Sequence, residues 1–242
     1  MKLSNRVNAI KPSFTLQMAT IAAEMRSEGV NIINFSVGEP DFNTPSNIIE
    51  AAKIAMDEGY TKYTAGPGMI EFREAICKKL HRENQLDFHI ENILVSNGEK
   101  QSLSTACQAL FDKEDKVIVF SPYWVSFPEF IRLADAEPIF VNTLAEKNFE
   151  PDFKDLRSKI DSTVKGVIIN SPSNPTGAGY SKKEINDLAK VLIKNKNIHI
   201  LSDDIYEHVR YDNFNFFTIA QISKLKDRTL TMNGVSKSYA MT

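Results

Sequence analysis

Cysteine is nearly missing from this 242-residue chain: Cys77 and Cys107 are the only two, each inside an apolar helical pattern. Such a pair builds no disulfide framework and supplies no metal site, and a reducing cytosol is the simplest compartment for it. Neither sign of charge dominates, since 29 Lys plus Arg stand against 31 Asp plus Glu for a net charge of -2. That balance removes the electrostatic reason to expect nucleic acid or an anionic membrane as partner. Long apolar runs are missing as well. The segment 1–29 is broken by Arg6, Lys11, Glu24, Arg26 and Glu28, so it lacks the apolar core of a signal peptide or a membrane span. Repeats, low-complexity tracts and long charge blocks are not found either. What is there is 42% hydrophobic and 25% charged residues, ordinary for a globular protein with a sizeable core and open to small-molecule chemistry.

Strand-like apolar runs alternate with helical stretches, which predicts an α/β fold with a mostly parallel sheet flanked by helices. The runs 93–95, 117–120, 138–141, 167–169, 198–201 and 230–232 read as strands, because continuous apolar runs suit strands buried on both faces. Thr44-Pro45 predicts an N-cap followed by proline at the first helical position, and Gly59 a helix end, with Ile48, Ala52 and Ala55 turned inward. A second helix is predicted over 69–81. Ser181-Lys182-Lys183-Glu184 is a capping box that opens a crossover helix with Ile185, Leu188, Ala189 and Leu192 inward.

Ligands of open parallel sheets collect at the carboxyl ends of the strands, so the residues after each run carry the functional information. Ser96-Asn97-Gly98-Glu99-Lys100 is a glycine turn feeding a helix N-terminus, which presents free N–H groups to an anion such as phosphate. Ser121-Pro122-Tyr123-Trp124 puts the single tryptophan in a loop, and Asn170-Ser171-Pro172-Ser173-Asn174-Pro175-Thr176-Gly177 is too rich in turn residues for regular structure. Ser202-Asp203-Asp204-Ile205-Tyr206 sets acids and a phenol beyond a buried strand, and Asn233-Gly234-Val235-Ser236-Lys237 ends on a lysine. Singly, each has a bland reading: an ordinary turn, a packed indole, a solvated acid, a surface charge. Together they supply an amine for a Schiff base, an acid for a pyridine nitrogen, donors for a phenolic oxygen, a stacking ring and a phosphate cradle, which are the requirements of pyridoxal 5'-phosphate. Asp203 is the choice for the ring nitrogen; Asp204 competes, although strand alternation aims the two in opposite directions.

These motifs, with Ser-Asp-Asp-Ile-Tyr-Glu-His over 202–208, Lys11-Pro12-Ser13, Gly38-Glu39-Pro40-Asp41 and Thr61-Lys62-Tyr63, resemble those of class I aminotransferases of fold type I. The resemblance is strongest to bacterial aspartate aminotransferases of the aspartate/prephenate subgroup and covers essentially the whole chain. It implies a transaminase that moves the amino group of L-aspartate to 2-oxoglutarate, with prephenate a second acceptor, working as a cytoplasmic homodimer. It implies that Lys237 forms the Schiff base, Asp203 pairs with the ring nitrogen, Tyr206 and Asn174 bond the phenolic oxygen, and Trp124 stacks on the ring. Gly98, Glu99 and Lys100 fall at the phosphate, Tyr63 near the phosphate of a partner subunit, and Gly38, Trp124 and Asn174 at the substrate. Lys11 matches a position linked to prephenate use. The family's serine three places before the lysine is Gly234 here, which leaves Ser236 as a candidate phosphate ligand.

By the same resemblance, residues 1–45 form an N-terminal arm with part of a small domain, and 46–242 an incomplete pyridoxal-phosphate-binding large domain. Relatives continue past Thr242 with a Gly-Trp-Arg strand, interior to the sheet, and a C-terminal small domain, so the expectation is a C-terminally truncated chain lacking two ligand-binding arginines. A piece of an active dimeric transaminase and a short protein that binds cofactor or partner without catalysis, completed by a separate C-terminal half, both fit. Another transaminase or a lyase on the same fold is a further alternative, because fold and cofactor do not fix the reaction. A cofactor-binding transcription regulator needs a DNA-binding module for which the short N-terminal arm leaves no room.

Overall fold

The sheet is built outward from one strand. In the computed structural model, which describes residues 2–33, 35 and 38–242, β1 (Lys116–Ser121) pairs in parallel with β2 (Glu137–Leu144) on one side and β4 (Val164–Asn170) on the other. β5 (His199–Asp203) and β6 (Thr229–Met232) continue the parallel ladder beyond β4. β3 (Glu150–Pro151), antiparallel to β2, ends the other side, giving the order β3-β2-β1-β4-β5-β6. The mostly parallel α/β sheet expected from the alternation of runs and helices is thus present.

Side-chain alternation divides the core into two layers. Val117, Val119, Ile168 and Leu201 lie against α5 (Glu99–Leu110) and α6 (Phe127–Leu133), where they meet Leu103, Cys107, Phe130 and Ile131. Ile118, Phe120, Val167, Ile169 and Ile200 face the opposite way, toward α7 (Phe153–Lys159) and α8 (Lys182–Lys194), and meet Leu156, Ile185, Leu188 and Leu192. With both faces covered, successive residues of the central strands are all buried, which is why their sequences run apolar without a break. Each fully buried Leu or Ile in these layers contributes about 1.5–3 kcal/mol. α8 starts where the capping box predicts: the Glu184 N–H donates to Ser181 Oγ at 3.3 Å and the Ser181 N–H to Glu184 Oε2 at 2.6 Å. Burial pushes the Cys107 thiol up to about 12, so it stays protonated as a packing group.

The N-terminal third is arranged differently. α1 (Asn5–Asn8), α2 (Phe14–Ser27) and α3 (Ser46–Asp57) have no buried residue, while α4 (Ile70–Asn84) buries Leu80 against Leu86 and Ala220. Three expectations fail here. Ile48, Ala52 and Ala55 are not turned into a core, since α3 buries none of its residues and Ala52 is exposed. The run 93–95 is extended but is not a strand: its carbonyl and amide groups are taken singly, Ile93 O by Arg73 Nε at 3.1 Å and Val95 N by Pro67 O at 3.0 Å, and Leu94 is exposed. A strand needs a ladder partner, which an apolar run by itself does not provide. Thr44 is not the cap of α3 either, since Pro45 occupies that position and Thr44 Oγ1 donates to Ala240 O at 2.6 Å. Among the described residues no helix is long and apolar enough to cross a membrane.

Candidate active site

Parallel strands end on a common edge, so β1, β4, β5 and β6 deliver the residues that follow them to the same side of the molecule. From β1 the chain moves to β2 on one side and later returns to β4 on the other. The loops after β1 and β4 therefore diverge and leave a crevice between them. Trp124 follows β1 and Asn174 follows β4, while Asp203 closes β5 and Lys237 lies just past β6 on α9 (Val235–Ser238).

Asp203 is the electrostatic centre. It is 2% exposed, and its Oδ1 accepts a long hydrogen bond from the Ile205 N–H, at 3.3 Å. Burial raises the pKa of its carboxyl. Glu99, in the first turn of α5, faces it within hydrogen-bonding reach; burial, then the Asp203 charge, drives the Glu99 carboxyl toward its protonated form. Glu99 Oε1 is buried without a hydrogen-bond partner. Asp204 points elsewhere, accepting from Ser202 Oγ at 2.8 Å, and burial pushes its carboxyl up to about 8. The alternation argument for Asp203 over Asp204 therefore agrees with the geometry.

Asn170, to which the sequence assigned no role, organises the neighbourhood. Its Nδ2 donates to Asp203 O at 3.3 Å, and its Oδ1 accepts the Asn174 N–H at 2.8 Å. So held, Asn174 donates through Nδ2 to Tyr206 Oη at 3.4 Å. Tyr206 is half-buried, and its phenol is raised mainly by that burial, against the Asn174 hydrogen bond. The one available signal for Asn170 was its position as the last residue of a buried strand, directly before the turn-rich loop.

Gly98 caps α5 with φ +77°, in the left-handed region that glycine enters without strain. The first N–H groups of α5, beyond the reach of intrahelical carbonyls, follow it at Glu99 and Lys100. Lys100 Nζ stands 5.2 Å from the centroid of Trp124, whose ring packs edge-on against Phe127 and Phe130 at 5.4 and 5.8 Å. Lys237 Nζ donates to Gly38 O at 2.8 Å, and its charge acts on Glu99. Ser236 is half-buried beside it. Tyr63 and Lys11 are not drawn into this group: Tyr63 is fully exposed, and Lys11 is held only through its N–H, which donates to Glu129 Oε2 at 3.1 Å.

Two carboxyls face each other, one with an oxygen that no donor serves among the described residues, and the Lys237 charge acting on Glu99 leaves that shortage of donors in place. A protonated ring nitrogen relieves that shortage. An amine, an amide–phenol pair, an indole and an anion-binding helix end surround it, so the residues present fit pyridoxal phosphate.

Comparison with known proteins agrees. The chain belongs to the family of class I and II aminotransferases, whose profile matches residues 30–242. Aspartate aminotransferases of this family depend on pyridoxal phosphate. The chain is 48% identical to a probable aspartate/prephenate aminotransferase of Rickettsia typhi over 99% of its own length and 60% of the relative's. It is 44% identical to the aspartate aminotransferase of Bacillus sp. strain YM-2, covering 99% of this chain and 61% of that one. The fold superposes on the aspartate aminotransferase of Rhizobium meliloti with a TM-score of 0.96 at 40% identity, covering 100% of this chain and 61% of that one. The Thermus thermophilus aspartate aminotransferase with maleate gives 0.94 at 41%, covering 100% and 62%. The chain thus spans about 60% of the length of the curated relatives it matches.

Proposed function

We propose that the protein is a pyridoxal-phosphate-dependent transaminase that takes the amino group of L-aspartate and gives it to 2-oxoglutarate, with prephenate a second acceptor. The observation that carries this reading is the buried Asp203 carboxyl among an amine, an amide-bonded phenol and an indole at adjoining strand ends. The names of the relatives support the aspartate and prephenate preference, and the maleate bound to the Thermus enzyme supports a dicarboxylate substrate.

When bound, pyridoxal phosphate supplies an electron sink for negative charge at the substrate α-carbon. Lys237 would hold it covalently through Nζ, and Nζ, when free, would serve as general base and acid toward the substrate α-proton. Asp203 would pair as a carboxylate with the ring nitrogen and favour its protonated form. Asn174 and Tyr206 would bond the phenolic oxygen, and Trp124 would stack on the ring. Gly98 would let the chain approach the phosphate, Glu99 and Lys100 would offer it their helix-end N–H groups, with Ser236 beside them and Tyr63 reaching a partner subunit's phosphate. Gly38, Trp124, Asn174 and Lys11 contact the substrate.

Residues 46–242 are assigned to the cofactor domain and 1–45 to the arm with part of a small domain, in a cytoplasmic homodimer. Exposed Phe14 and Leu16 on α2 and Ile54 and Met56 on α3 support the pairing of two subunits, since apolar surface of this kind marks contact sites.

The test uses the intact protein with aspartate, 2-oxoglutarate and pyridoxal phosphate, measuring oxaloacetate formed and, after borohydride reduction, cofactor mass on Lys237. Parent protein should show both, and Lys237→Ala neither. A Lys237→Ala variant with parental turnover refutes the assignment.

A further inference from the structure

One buried carboxylate outside the candidate site joins three elements. Glu207 is 3% exposed and directly follows Tyr206. Its Oε2 accepts from Asn84 Nδ2 at 2.6 Å, its Oε1 accepts from Asn233 Nδ2 at 2.7 Å, and the Lys79 ammonium pairs with Oε1. Lys79 also donates to Asn84 Oδ1 at 2.8 Å, so the two α4 partners are tied to each other. Asn233 is engaged at both ends: while Nδ2 donates to Glu207, Oδ1 accepts the Gly234 N–H at 2.7 Å. Gly234 is the N-cap of α9, on which Lys237 stands. An unbroken run of polar contacts therefore leads from α4, through the segment that bears Tyr206, to the turn that bears the lysine.

Glu83, Glu207 and His208 present ligand atoms within 4.8 Å of one another, an arrangement that invites comparison with a metal site. Lys79 already supplies the cation there, pairing with Glu207 and lying 3.6 Å from Glu83. Both Glu207 oxygens are taken by side-chain donors, so the cluster is an ion-pair and hydrogen-bond knot.

We propose that Glu207 is a positioning residue: acting through Asn233, its carboxylate sets where Lys237 stands relative to Tyr206. The inference rests on the transaminase reading for the role of what is positioned. Three donors converge on this carboxylate, and only an acceptor with two oxygens serves them all. A methionine of similar volume offers no oxygen to any of the three, which leaves buried donors unmatched. Asn233 loses its anchor in that variant and retains its own bond to Gly234 only as a freely moving side chain.

The experiment compares parent, Glu207→Met and Asn233→Ala in the intact protein by two readouts. Amide hydrogen exchange at Gly234, measured without cofactor below the unfolding transition, should be about tenfold faster in Glu207→Met. Labelling of Lys237 by pyridoxal phosphate and borohydride at a fixed subsaturating concentration should fall about tenfold in both variants. Asn233→Ala leaves the contacts among Lys79, Asn84 and Glu207 intact, and its urea midpoint should stay near the parent's. Unchanged Gly234 exchange in Glu207→Met overturns the proposal, as does an Asn233→Ala protein that labels like the parent. If the parent itself takes no label on Lys237, the transaminase reading fails, while Gly234 exchange still decides the role of Glu207.

Discussion

Replacing Asp203 with Asn removes a charge and almost no volume, and it should move stability and activity in opposite directions. The side chain is 2% exposed, and burial raises its pKa. A carboxyl whose folded-state pKa is raised binds more protons in the native than in the unfolded state at intermediate pH. Folding then carries no penalty below the ordinary carboxylate value near 4, and the full penalty above the folded-state value. Each tenfold rise in proton affinity corresponds to about 1.4 kcal/mol. Asn is neutral throughout, accepts from Ile205 as Asp203 does, and has an amide N–H to donate toward Glu99. The cofactor-free variant should therefore match the parent near pH 4 and become the more stable of the two as the pH rises toward 8, read from urea denaturation at a series of pH values. Activity should move the other way. Removing one partner of a buried charge pair costs about 3–5 kcal/mol, so transamination should fall roughly 10²- to 10⁴-fold. A variant whose stability follows the parent's pH dependence, or whose turnover stays within tenfold of it, refutes the assignment of Asp203 as a buried carboxylate awaiting a cation.

Asp204→Asn separates the two neighbouring acids. With its carboxyl pushed up to about 8 by burial, Asp204 lowers parental stability progressively from about pH 4 to pH 8, and its replacement should flatten that interval in the urea series while leaving transamination within a few-fold of the parent. In β4, Gly166 leaves room for Phe111: a Cβ there sits 2.3 Å from Phe111 Cζ and 3.1 Å from Val117 Cγ1. Gly166→Ala should accordingly lower the urea-derived stability by about 1–3 kcal/mol through overpacking, and a variant as stable as the parent shows that the ring can move aside.

The sheet was largely legible because its central strands are covered on both faces and so write their burial directly into continuous apolar runs. Five of the six runs became strands. The sixth, 93–95, has the composition without a ladder, and composition carries no information about whether a neighbouring backbone is there to pair with. Thr44 illustrates a similar limit: its residue type and place before Pro45 suggest an N-cap, but its hydroxyl is used by a carbonyl nearly two hundred residues away. In the site, the residues of distinctive chemistry, Lys237, Asp203, Tyr206 and Trp124, announced themselves. Asn170 and Glu207 did not, because their work is done on other protein groups and becomes visible only when those groups are adjacent in space. Tyr63 and Lys11 rest on resemblance alone, since neither approaches the other site residues within this chain.

Every pairing in the sheet but one joins strands consecutive in sequence; the exception is β1 with β4, where Ile118 lies opposite Val167. During folding, β1 with β2 and β3, and β4 with β5 and β6, can form as two separate ribbons by local search. Joining them brings together residues about 50 positions apart across the free connection 152–163, an entropic cost on the order of 2 kcal/mol. The crevice between Trp124 and Asn174 lies over that seam, so it comes into being only when the ribbons dock. Uptake of a coloured cofactor during refolding would then serve as a clock for the slowest long-range event in the chain, with the two halves already ordered and the site still blank.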